Sequence, residues 1–424
     1  MSGTQFALLL KRRFLPVFVT QALGAFNDNL YRLALIVLVT YRPGLSWSLM
    51  PEQLIAIASG LFILPFLLFS AAAGNIADHH DKARLIRIIK LAEIGLTGLS
   101  GIALWIEDPV LMLIALFLLG TQSAFFGPIK YSILPQHLGP RELIGGNGLV
   151  EAATFLAILL GSLIGAWLVA RPGGKEWVIA LMLAVAAGGY VASRAIPPAP
   201  PQCDGRAKTT GLLREISEVL VPALRQPGIL WSMLGVSWFW FMGGVYVSQL
   251  ATFARFVGAD PGVVTLLLAI FSLGVGGGAL LCNALLRGRV TTRYVPLAGL
   301  VVTVAAVDLF ISAPEAAVDG PLMTAGAFLS SGYGLRVCLA FSALAIAGGI
   351  YSVPLYAAIQ SLSAPETRSR TIAANNILNS LFVIAAACWS FFLLTAGVTI
   401  VGLYLSVALV NLAVTILLWV KLAR

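Results

Sequence analysis

Charged residues are scarce in this sequence. Aspartate, glutamate, lysine and arginine make up 11% of its 424 residues, while hydrophobic residues make up 59% and the mean hydropathy is +0.94. A soluble domain carries about 25% charged residues, so a chain this poor in charge cannot cover a surface exposed to water. The composition therefore predicts an integral membrane protein.

Residues that serve metal, disulfide or catalytic chemistry are also few. The chain has four cysteines and three histidines; no two cysteines form a C-x-x-C pair, and the histidines fall in predicted loops. The glycine run Gly274–Gly278 lies inside an apolar span and follows no strand, so it does not indicate a dinucleotide loop; like Gly161 and Gly165, it predicts close helix packing. We expect no metal site, no cofactor and no enzyme activity.

Long apolar runs fill the rest of the chain. A transmembrane helix needs about 20 apolar residues, and the pattern predicts an all-α membrane protein of about twelve spans in two six-helix bundles. Twelve spans place both termini on the same side. The predicted limits are 13–41, 52–76, 83–106, 109–131, 142–170, 175–196, 228–256, 261–287, 292–313, 335–361, 370–396 and 398–420.

The basic residues predict the orientation of these spans. The net charge of +9 would suit a nucleic-acid partner, but lysine and arginine lie in short loops, which is an orientation signal; we expect no nucleic acid. Twenty of the 27 fall in segments on the side of the N-terminus, and two lie inside spans. Both termini are therefore predicted to be cytoplasmic, in a bacterial inner membrane. The five on the opposite side are Arg42, Arg171, Lys175, Arg255 and Arg336.

An internal duplication divides the chain. The stretch after Pro128 recurs in blurred form after Pro354, and Asn147 aligns with Asn375 as Glu151 aligns with Asn379. Repeated halves in a hydrophobic chain are typical of transporters with a central site. The predicted domains are an N-terminal bundle at 1–196, a cytoplasmic linker at 197–227 and a C-terminal bundle at 228–424.

Within the linker, apolar residues at helical spacing predict an amphipathic surface helix over 212–224, and a second short interfacial helix is predicted within 314–334.

The first span carries the most costly polar group. Asn27, Asp28, Asn29 and Arg32 lie within an apolar run, and a carboxylate in the membrane costs several kcal/mol unless it is solvated or paired. Asp28 and Arg32 are four residues apart and could form an internal ion pair that only packs the helix. The interpretation that we favour makes Asp28 a cavity anion that meets a cationic headgroup, a proton or a metal ion.

Further polar groups lie inside later spans. Asn147 and Glu151 share one helix face and either line the cavity or bind neighbouring helices. Lys130 is predicted either to pair with Glu151 or to extend to the interface, and Glu93 is predicted to pair with Lys90 one turn away. The candidate binding or coupling residues are Asn27, Asp28, Asn29, Arg32, Lys130, Asn147, Glu151, Asn375 and Asn379.

The loop after the second span resembles the loop signature of the major facilitator superfamily, Gly-x-x-x-Asp-(Arg/Lys)-x-Gly-Arg. Gly74, Asp78, Lys82 and Arg84 fit it loosely. His79 stands where arginine is usual and Asp81 where glycine is usual, which predicts a weakened conformational latch. Gly74 permits close helix approach, and Asp78 is expected to cap a helix N-terminus or to pair with a cation such as Arg84.

Three stretches resemble bacterial lysophospholipid transporters of the same superfamily. They are Ala25–Asn29 (Ala-Phe-Asn-Asp-Asn), Gly127–Leu134 (Gly-Pro-Ile-Lys-Tyr-Ser-Ile-Leu), and Asn147–Glu151 followed by Ala157–Gly161. Ser237–Phe241 is similar to the form fused to an acyltransferase and an acyl-carrier-protein ligase. The family carries a basic residue near Ser248 or Gln249 that this chain lacks, which makes Arg32 the nearest substitute for phosphate binding.

The resemblance implies a major facilitator fold and movement of lysophosphatidylethanolamine-like lipids to the inner leaflet. It implies a monomer in the bilayer, with an acyltransferase or acyl-ACP synthetase that is either a separate partner or a further domain outside this sequence. Asp28 would meet the headgroup amine or a coupling cation, while one acyl tail stays in lipid. The alternative is a proton-coupled exporter of drugs or metabolites. A non-transporting scaffold fits poorly with so many polar residues inside spans.

The predicted topology can be tested by cysteine labelling in a cysteine-free background. A single cysteine at Ser46 or Asp319 should react with an impermeant reagent added outside intact cells, whereas one at Thr210 should not. Labelling at Thr210 from outside would reverse the orientation.

Overall fold

The computed structural model describes residues 5–41, 51–204, 211–315, 317–318 and 320–422. The labelling positions Ser46, Thr210 and Asp319 lie outside these ranges, as does Arg42. Twelve long helices dominate the described chain. They are α1 (Leu15–Tyr41), α2 (Pro51–His79), α3 (Lys82–Ile106), α4 (Pro109–Ser132), α5 (Leu143–Val169), α6 (Gly174–Arg194), α7 (Pro227–Ser248), α8 (Pro261–Leu286), α9 (Val295–Ile311), α10 (Gly332–Leu362), α11 (Arg368–Thr395) and α12 (Ile400–Leu422).

The helices match the predicted spans closely. Eleven are long and apolar enough to cross a membrane, and α9 is a shorter apolar helix of 17 residues, so the prediction of a multi-pass membrane protein is confirmed. The predicted span 228–256 is wrong at its end, because the backbone leaves helical geometry at Gln249 and a separate helix, Leu250–Phe256, follows. Six short helices complete the described chain: Gln5–Leu10, Leu134–His137, Leu212–Leu224, Leu250–Phe256, Ala325–Ser330 and Pro365–Thr367.

Both predicted short helices are present. Leu212–Leu224 buries Val219 and Ala223 and packs on α2 and α11. Ala325–Ser330 lies within 314–334 and is capped by the Thr324 hydroxyl. The apolar spacing of the linker therefore predicts its helix correctly, since one stripe of small and branched side chains faces the bundle.

Helix packing repeats after six helices. In the first half α1 packs on α5 and α6, α2 on α4, and α3 on α4 and α6. In the second half α7 packs on α11 and α12, α8 on α10, and α9 on α10 and α12. The halves meet through α2 with α11 and through α5 with α8. This equivalence is what a duplicated sequence produces; the boundaries at 1–196, 197–227 and 228–424 stay predictions.

Glycine permits the close packing of α5 on α1. A Cβ atom at Gly161 would lie 2.4 Å from the Phe26 carbonyl oxygen, and one at Gly165 would lie 2.4 Å from that of Leu30. Neither helix backbone can yield to such a contact. The prediction that these two glycines serve helix packing is therefore confirmed, and the contact sets the position of the Asp28 turn.

The hydrogen bonds between the halves lie at one end of the bundle. Asp78, at the end of α2, is fully buried and accepts from the backbone N–H groups of Ser369 (2.8 Å) and Arg370 (3.2 Å). The Arg370 guanidinium adds an ion pair at 3.0 Å. Asp78 thus caps the N-terminus of α11, where a negative charge is favoured. We call this group of contacts the joined end.

The Asp78 contacts confirm the prediction that this residue caps a helix N-terminus and correct the predicted cation. Asp78 does cap a helix, but its cation is Arg370 and not Arg84. The backbone of Arg84 instead donates to Asp81, which caps α3. Lys82 is fully buried, and its ammonium has no hydrogen-bond partner among the described residues. Gly74 is required by sterics, because a Cβ atom there would lie 2.6 Å from the Ala373 side chain.

Two further contacts secure the joined end. The amides of Asn147 and Gln360 bond each other in both directions, at 2.7 and 2.9 Å. The rings of Tyr131 and Tyr356 stack with centroids 4.6 Å apart. Together with Asp78, they link α2, α4 and α5 to α10 and α11.

The Asp78 contact can be tested through its partner. In a cysteine-free background, Ser369→Cys should react slowly with a thiol reagent, because Ser369 is fully buried. Adding Asp78→Asn should speed alkylation by about tenfold, since hydrogen bonds to a charged group contribute about 1.5–3 kcal/mol. Asp81→Asn is the matched control and should leave the rate unchanged. Equal rates in the two variants would show that Asp78 does not secure the joined end.

Candidate functional site

Asp28 lies in the N-terminal half and bonds to α4. Its Oδ2 atom accepts from the Ser123 hydroxyl at 2.5 Å, and only 7% of the residue is exposed. Arg32 instead donates to Asn29 at 3.0 Å and lies 5.8 Å from the ring centre of Phe62. The packing alternative, an internal Asp28–Arg32 ion pair, is therefore not the arrangement found.

A polar chain leads from Asp28 into the N-terminal half. Ser123 lies 3.3 Å from Gln122 Oε1, and Gln122 donates to Glu93 at 2.9 Å. Glu93 pairs with Lys90 at 2.5 Å, and both side chains are about 1% exposed. The Lys90–Glu93 prediction is confirmed, and the pair is connected to Asp28 through two α4 side chains.

Gly24 on α1 provides the space for this series of hydrogen-bonded side chains. A Cβ atom at Gly24 would lie 2.5 Å from the Lys90 ammonium, so glycine lets α1 approach the buried cation. Ser123 was missed by the sequence reasoning. Its spacing could have identified it, because Ser123 lies seven residues before Lys130 and therefore on the same face of α4.

The neighbouring asparagines do not point the same way as Asp28. Asn27 is fully buried and donates to Thr97 of α3 at 3.1 Å. Asn29 donates to the Ala25 carbonyl of its own helix at 2.8 Å and accepts from Arg32. Asn27 thus joins α1 to α3, and Asn29 positions the Arg32 guanidinium.

Lys130 forms a second polar group nearer the joined end. Its ammonium donates to Thr154 of α5 at 3.0 Å and lies 5.0 Å from the ring centre of Tyr131. The Thr154 hydroxyl is 3.0 Å from Gln21 Oε1. Of the two alternatives predicted for Lys130, the ion pair with Glu151 is not formed in the described chain; Glu151 accepts from the Tyr131 hydroxyl at 3.2 Å. Glu151 is 2% exposed.

The polar group around Asp28 and the polar group around Lys130 lie at two different heights along the same faces of α1 and α4, and we call these heights levels. Gln21 and Asp28 are seven residues apart on α1, as Ser123 and Lys130 are on α4. Seven residues are two turns, or about 10 Å along a helix. The Asp28 carboxyl group and the Lys130 amino group are therefore about 10 Å apart along the bundle.

The second half contributes amides and aromatic rings. Asn379 is half-buried and accepts from the Ser237 hydroxyl at 2.9 Å, while the Trp240 indole donates to the Tyr356 hydroxyl at 2.9 Å. Asn147 and Asn375 are buried at 2% and 0% exposure. Of the four residues predicted to line the half near the joined end, Asn379 is thus the one with an accessible side chain, and Glu151, Asn147 and Asn375 are enclosed.

Metal binding finds little support in the described ranges. They contain no group of three or more histidine, cysteine, aspartate or glutamate side chains that could hold a metal ion. The site therefore offers hydrogen bonds, two levels of opposite charge and aromatic surface.

Sequence comparison finds relatives among transporters. The chain is 29% identical over 300 residues to the lysophospholipid transporter LplT of Salmonella typhimurium strain LT2, which covers 69% of this chain and 70% of that one. It is 28% identical over the same shares to LplT of Salmonella agona. The resemblance predicted from the three motifs is thus confirmed over 69% of the chain.

Structural comparison gives the same fold at low identity. FucP in its outward conformation matches with a TM-score of 0.66 at 14% identity, covering 97% of this chain and 99% of that one. The human organic anion transporter MFSD10 matches with a TM-score of 0.70 at 14% identity, covering 96% and 99%. The family model of the Major Facilitator Superfamily matches residues 14–387. With twelve helices packed as two equivalent halves, this chain belongs to the major facilitator superfamily.

Proposed function

We propose that this chain is a lysophospholipid transporter, a non-enzymatic flippase. It moves lysophosphatidylethanolamine-like lipids from the outer to the inner leaflet of a bacterial inner membrane by alternating access. The observation that carries the proposal is the pair of charged levels at Asp28 and Lys130, together with the similarity to LplT. The single substrate headgroup crosses between the halves while its tail stays in lipid.

The two levels suit a zwitterionic headgroup. The Asp28 Oδ1 atom has no hydrogen-bond partner among the described residues, so it can accept from a substrate ammonium. Lys130 is held by Thr154, a neutral hydroxyl, and forms no ion pair within the described ranges, so its amino group is available to a phosphate. Lys130 therefore joins Arg32 as a candidate for phosphate binding, because each of the two is held by one neutral side chain and forms no ion pair in the described part of the chain.

The arrangement of the halves suits entry from outside. On the predicted orientation the joined end is cytoplasmic, so in the proposed cycle the lipid enters between the halves from the periplasmic side, where it starts. Release then requires the Asp78, Asn147–Gln360 and Tyr131–Tyr356 contacts to part. The protein acts as a monomer with both termini in the cytoplasm, and a separate acyltransferase or acyl-ACP synthetase reacylates the product.

A proton-coupled exporter is the second candidate. It is favoured by one observation, the enclosed chain from Asp28 through Ser123 and Gln122 to the Lys90–Glu93 pair. Buried carboxylates in membrane spans often belong to proton pathways. The two candidates differ in their cargo, which an assay with purified protein can distinguish.

Substrate shape provides the first test. In proteoliposomes, headgroup-labelled lysophosphatidylethanolamine should become protected from an external quencher at least about tenfold faster than diacyl phosphatidylethanolamine. A second tail would need a wider opening between the halves, and each methylene left in water costs about 0.8 kcal/mol. Equal rates for the two lipids, or efflux of a cationic dye with no lipid movement, would favour the exporter.

Asp28 provides the second test. Asp28→Asn should reduce lysolipid transport by at least about tenfold, since it removes the anion that meets the ammonium. Thermal stability should stay near that of the parent protein, because the asparagine oxygen can still accept from Ser123. Asp308→Asn is the control, as that carboxylate pairs with Arg336 at an exposed position. Normal transport by Asp28→Asn would remove Asp28 from the site.

A further inference from the structure

A basic groove lies at the start of α1, outside the transport site. Its cavity has a volume of about 530 Å³ and is lined by Lys11, Arg12, Arg13, Pro197 and Pro198. The three basic residues precede α1, and the two prolines follow α6. Because α1 packs on α6, the groove sits where two neighbouring helices leave the membrane on the same side.

The wall of the groove is built by specific contacts. Arg13 donates to the His137 carbonyl and to the Glu142 carboxylate, both at 2.6 Å. The His137 ring lies 3.5 Å from the Pro198 carbonyl oxygen, which ties the two sides together. The hydrogen bond from Arg13 lowers the pKa of Glu142 below its usual value, so this carboxylate is ionised at neutral pH and neutralises Arg13.

Two cations of the groove are exposed to solvent and form no direct ion pair within the described ranges. Lys11 and Arg12 are exposed, and within the described ranges neither forms an ion pair or a side-chain hydrogen bond. Glu142 also feels the charge of Lys11, but the lining of the groove has three basic side chains and no acidic one, so the groove keeps a positive potential. A cavity with a basic lining at a membrane boundary attracts an anion.

Apolar side chains lie beside these cations. Phe6 and Leu10 are 52% and 86% exposed, and they belong to the short helix Gln5–Leu10. Exposed apolar groups next to basic groups are the pattern of a segment that lies in the headgroup region of a bilayer. A soluble anion would use the cations and leave the apolar edge unused, so the pattern favours a lipid.

The segment that carries this edge is fixed to both halves. Leu8 is buried in the core, and the Gln5 side chain donates to the Leu280 carbonyl of α8 at 2.9 Å. Arg13 fixes its other end to the loop before α5. The segment thus bridges α5 and α8 at the joined end, and a ligand that orders it favours the joined arrangement.

We propose that this groove binds the phosphate headgroup of an anionic diacyl phospholipid from the surrounding leaflet. Lys11 and Arg12 meet the phosphate, while Phe6 and Leu10 lie against the acyl chains. The proposal does not depend on which substrate the transporter carries, because the groove lies outside the space between the halves.

Lipid binding to the purified full-length chain tests the proposal. In neutral detergent, a tail-labelled diacyl phosphatidylglycerol should bind at least about tenfold more tightly than the matching phosphatidylcholine. The double variant Lys11→Gln/Arg12→Gln should lose roughly tenfold in affinity for phosphatidylglycerol, since each basic residue near an anionic lipid contributes to attraction. Lys11→Arg/Arg12→Lys keeps the charge and should bind as the parent protein does.

A matched control separates the groove from general surface charge. Arg225→Gln/Arg293→Gln removes two exposed cations elsewhere and should change the affinity less than about twofold. Thermal unfolding of each variant should match the parent protein. Equal binding of the two lipids, or equal losses in the groove and control variants, would overturn the proposal. Displacement of the lipid by inorganic phosphate at millimolar concentration would assign the groove to a soluble anion and would overturn it as well.

Discussion

The cost of a polar group in hydrocarbon governs this structure. Each amide, hydroxyl or charge inside a span must find a partner or water, because lipid offers neither. Asp28 meets this demand through Ser123, Lys90 through Glu93, and Lys130 through Thr154. Ser123 and Thr154 lie on helices other than those of Asp28 and Lys130, and Glu93 of α3 also accepts from Gln122 of α4, so these bonds also fix how the N-terminal helices pack. The site and the fold of this half are therefore held by one set of contacts.

Close backbone approach makes this set of contacts possible. Gly161 and Gly165 bring α5 onto α1 around the Asp28 turn, and Gly24 leaves room for the Lys90 ammonium. Side-chain bonds of about 3 Å are reached only when the helix axes are near each other. A larger residue at Gly161 would displace a backbone carbonyl, and the displacement would move Asp28 relative to Ser123. Small residues in the spans thus determine site geometry without touching a substrate.

The sequence predicts local features well and long-range partners poorly. Hydropathy gives the spans, because length and composition alone decide which runs can cross a bilayer, and the Lys90–Glu93 pair follows from its spacing on one helix. The partner of Asp78 lies 291 residues away, and that of Asp28 lies 95 residues away. From the sequence, the expected partners were Arg84 for Asp78, Arg32 for Asp28 and Glu151 for Lys130. Each of these residues has the opposite charge and is near in sequence or lies on a neighbouring predicted span. In the folded chain Asp28 and Lys130 bond to the hydroxyls of Ser123 and Thr154, and Asp78 bonds to the N-terminus of α11. The periodicity of a sequence does not indicate which helices become neighbours, so these partners could not be predicted from it.

The two halves have diverged in chemistry while keeping one architecture. Asn147 and Asn375 are 228 positions apart, as are Ser132 and Gln360. Gln360 is long enough to pair with Asn147, whereas Ser132 bonds to Ser369 and leaves the Asn375 amide without a partner in the described chain. Glu151 likewise corresponds to the neutral Asn379. The ionisable groups Asp28, Lys90, Glu93, Lys130 and Glu151 all lie in the N-terminal half, whereas the second half contributes Trp240, Tyr356 and Asn379, and Tyr356 stacks on Tyr131 of the first half. In the proposed cycle the first half therefore recognises the charged headgroup. The second half supplies an aromatic and amide surface that forms no ion pair with the headgroup and can therefore move relative to it.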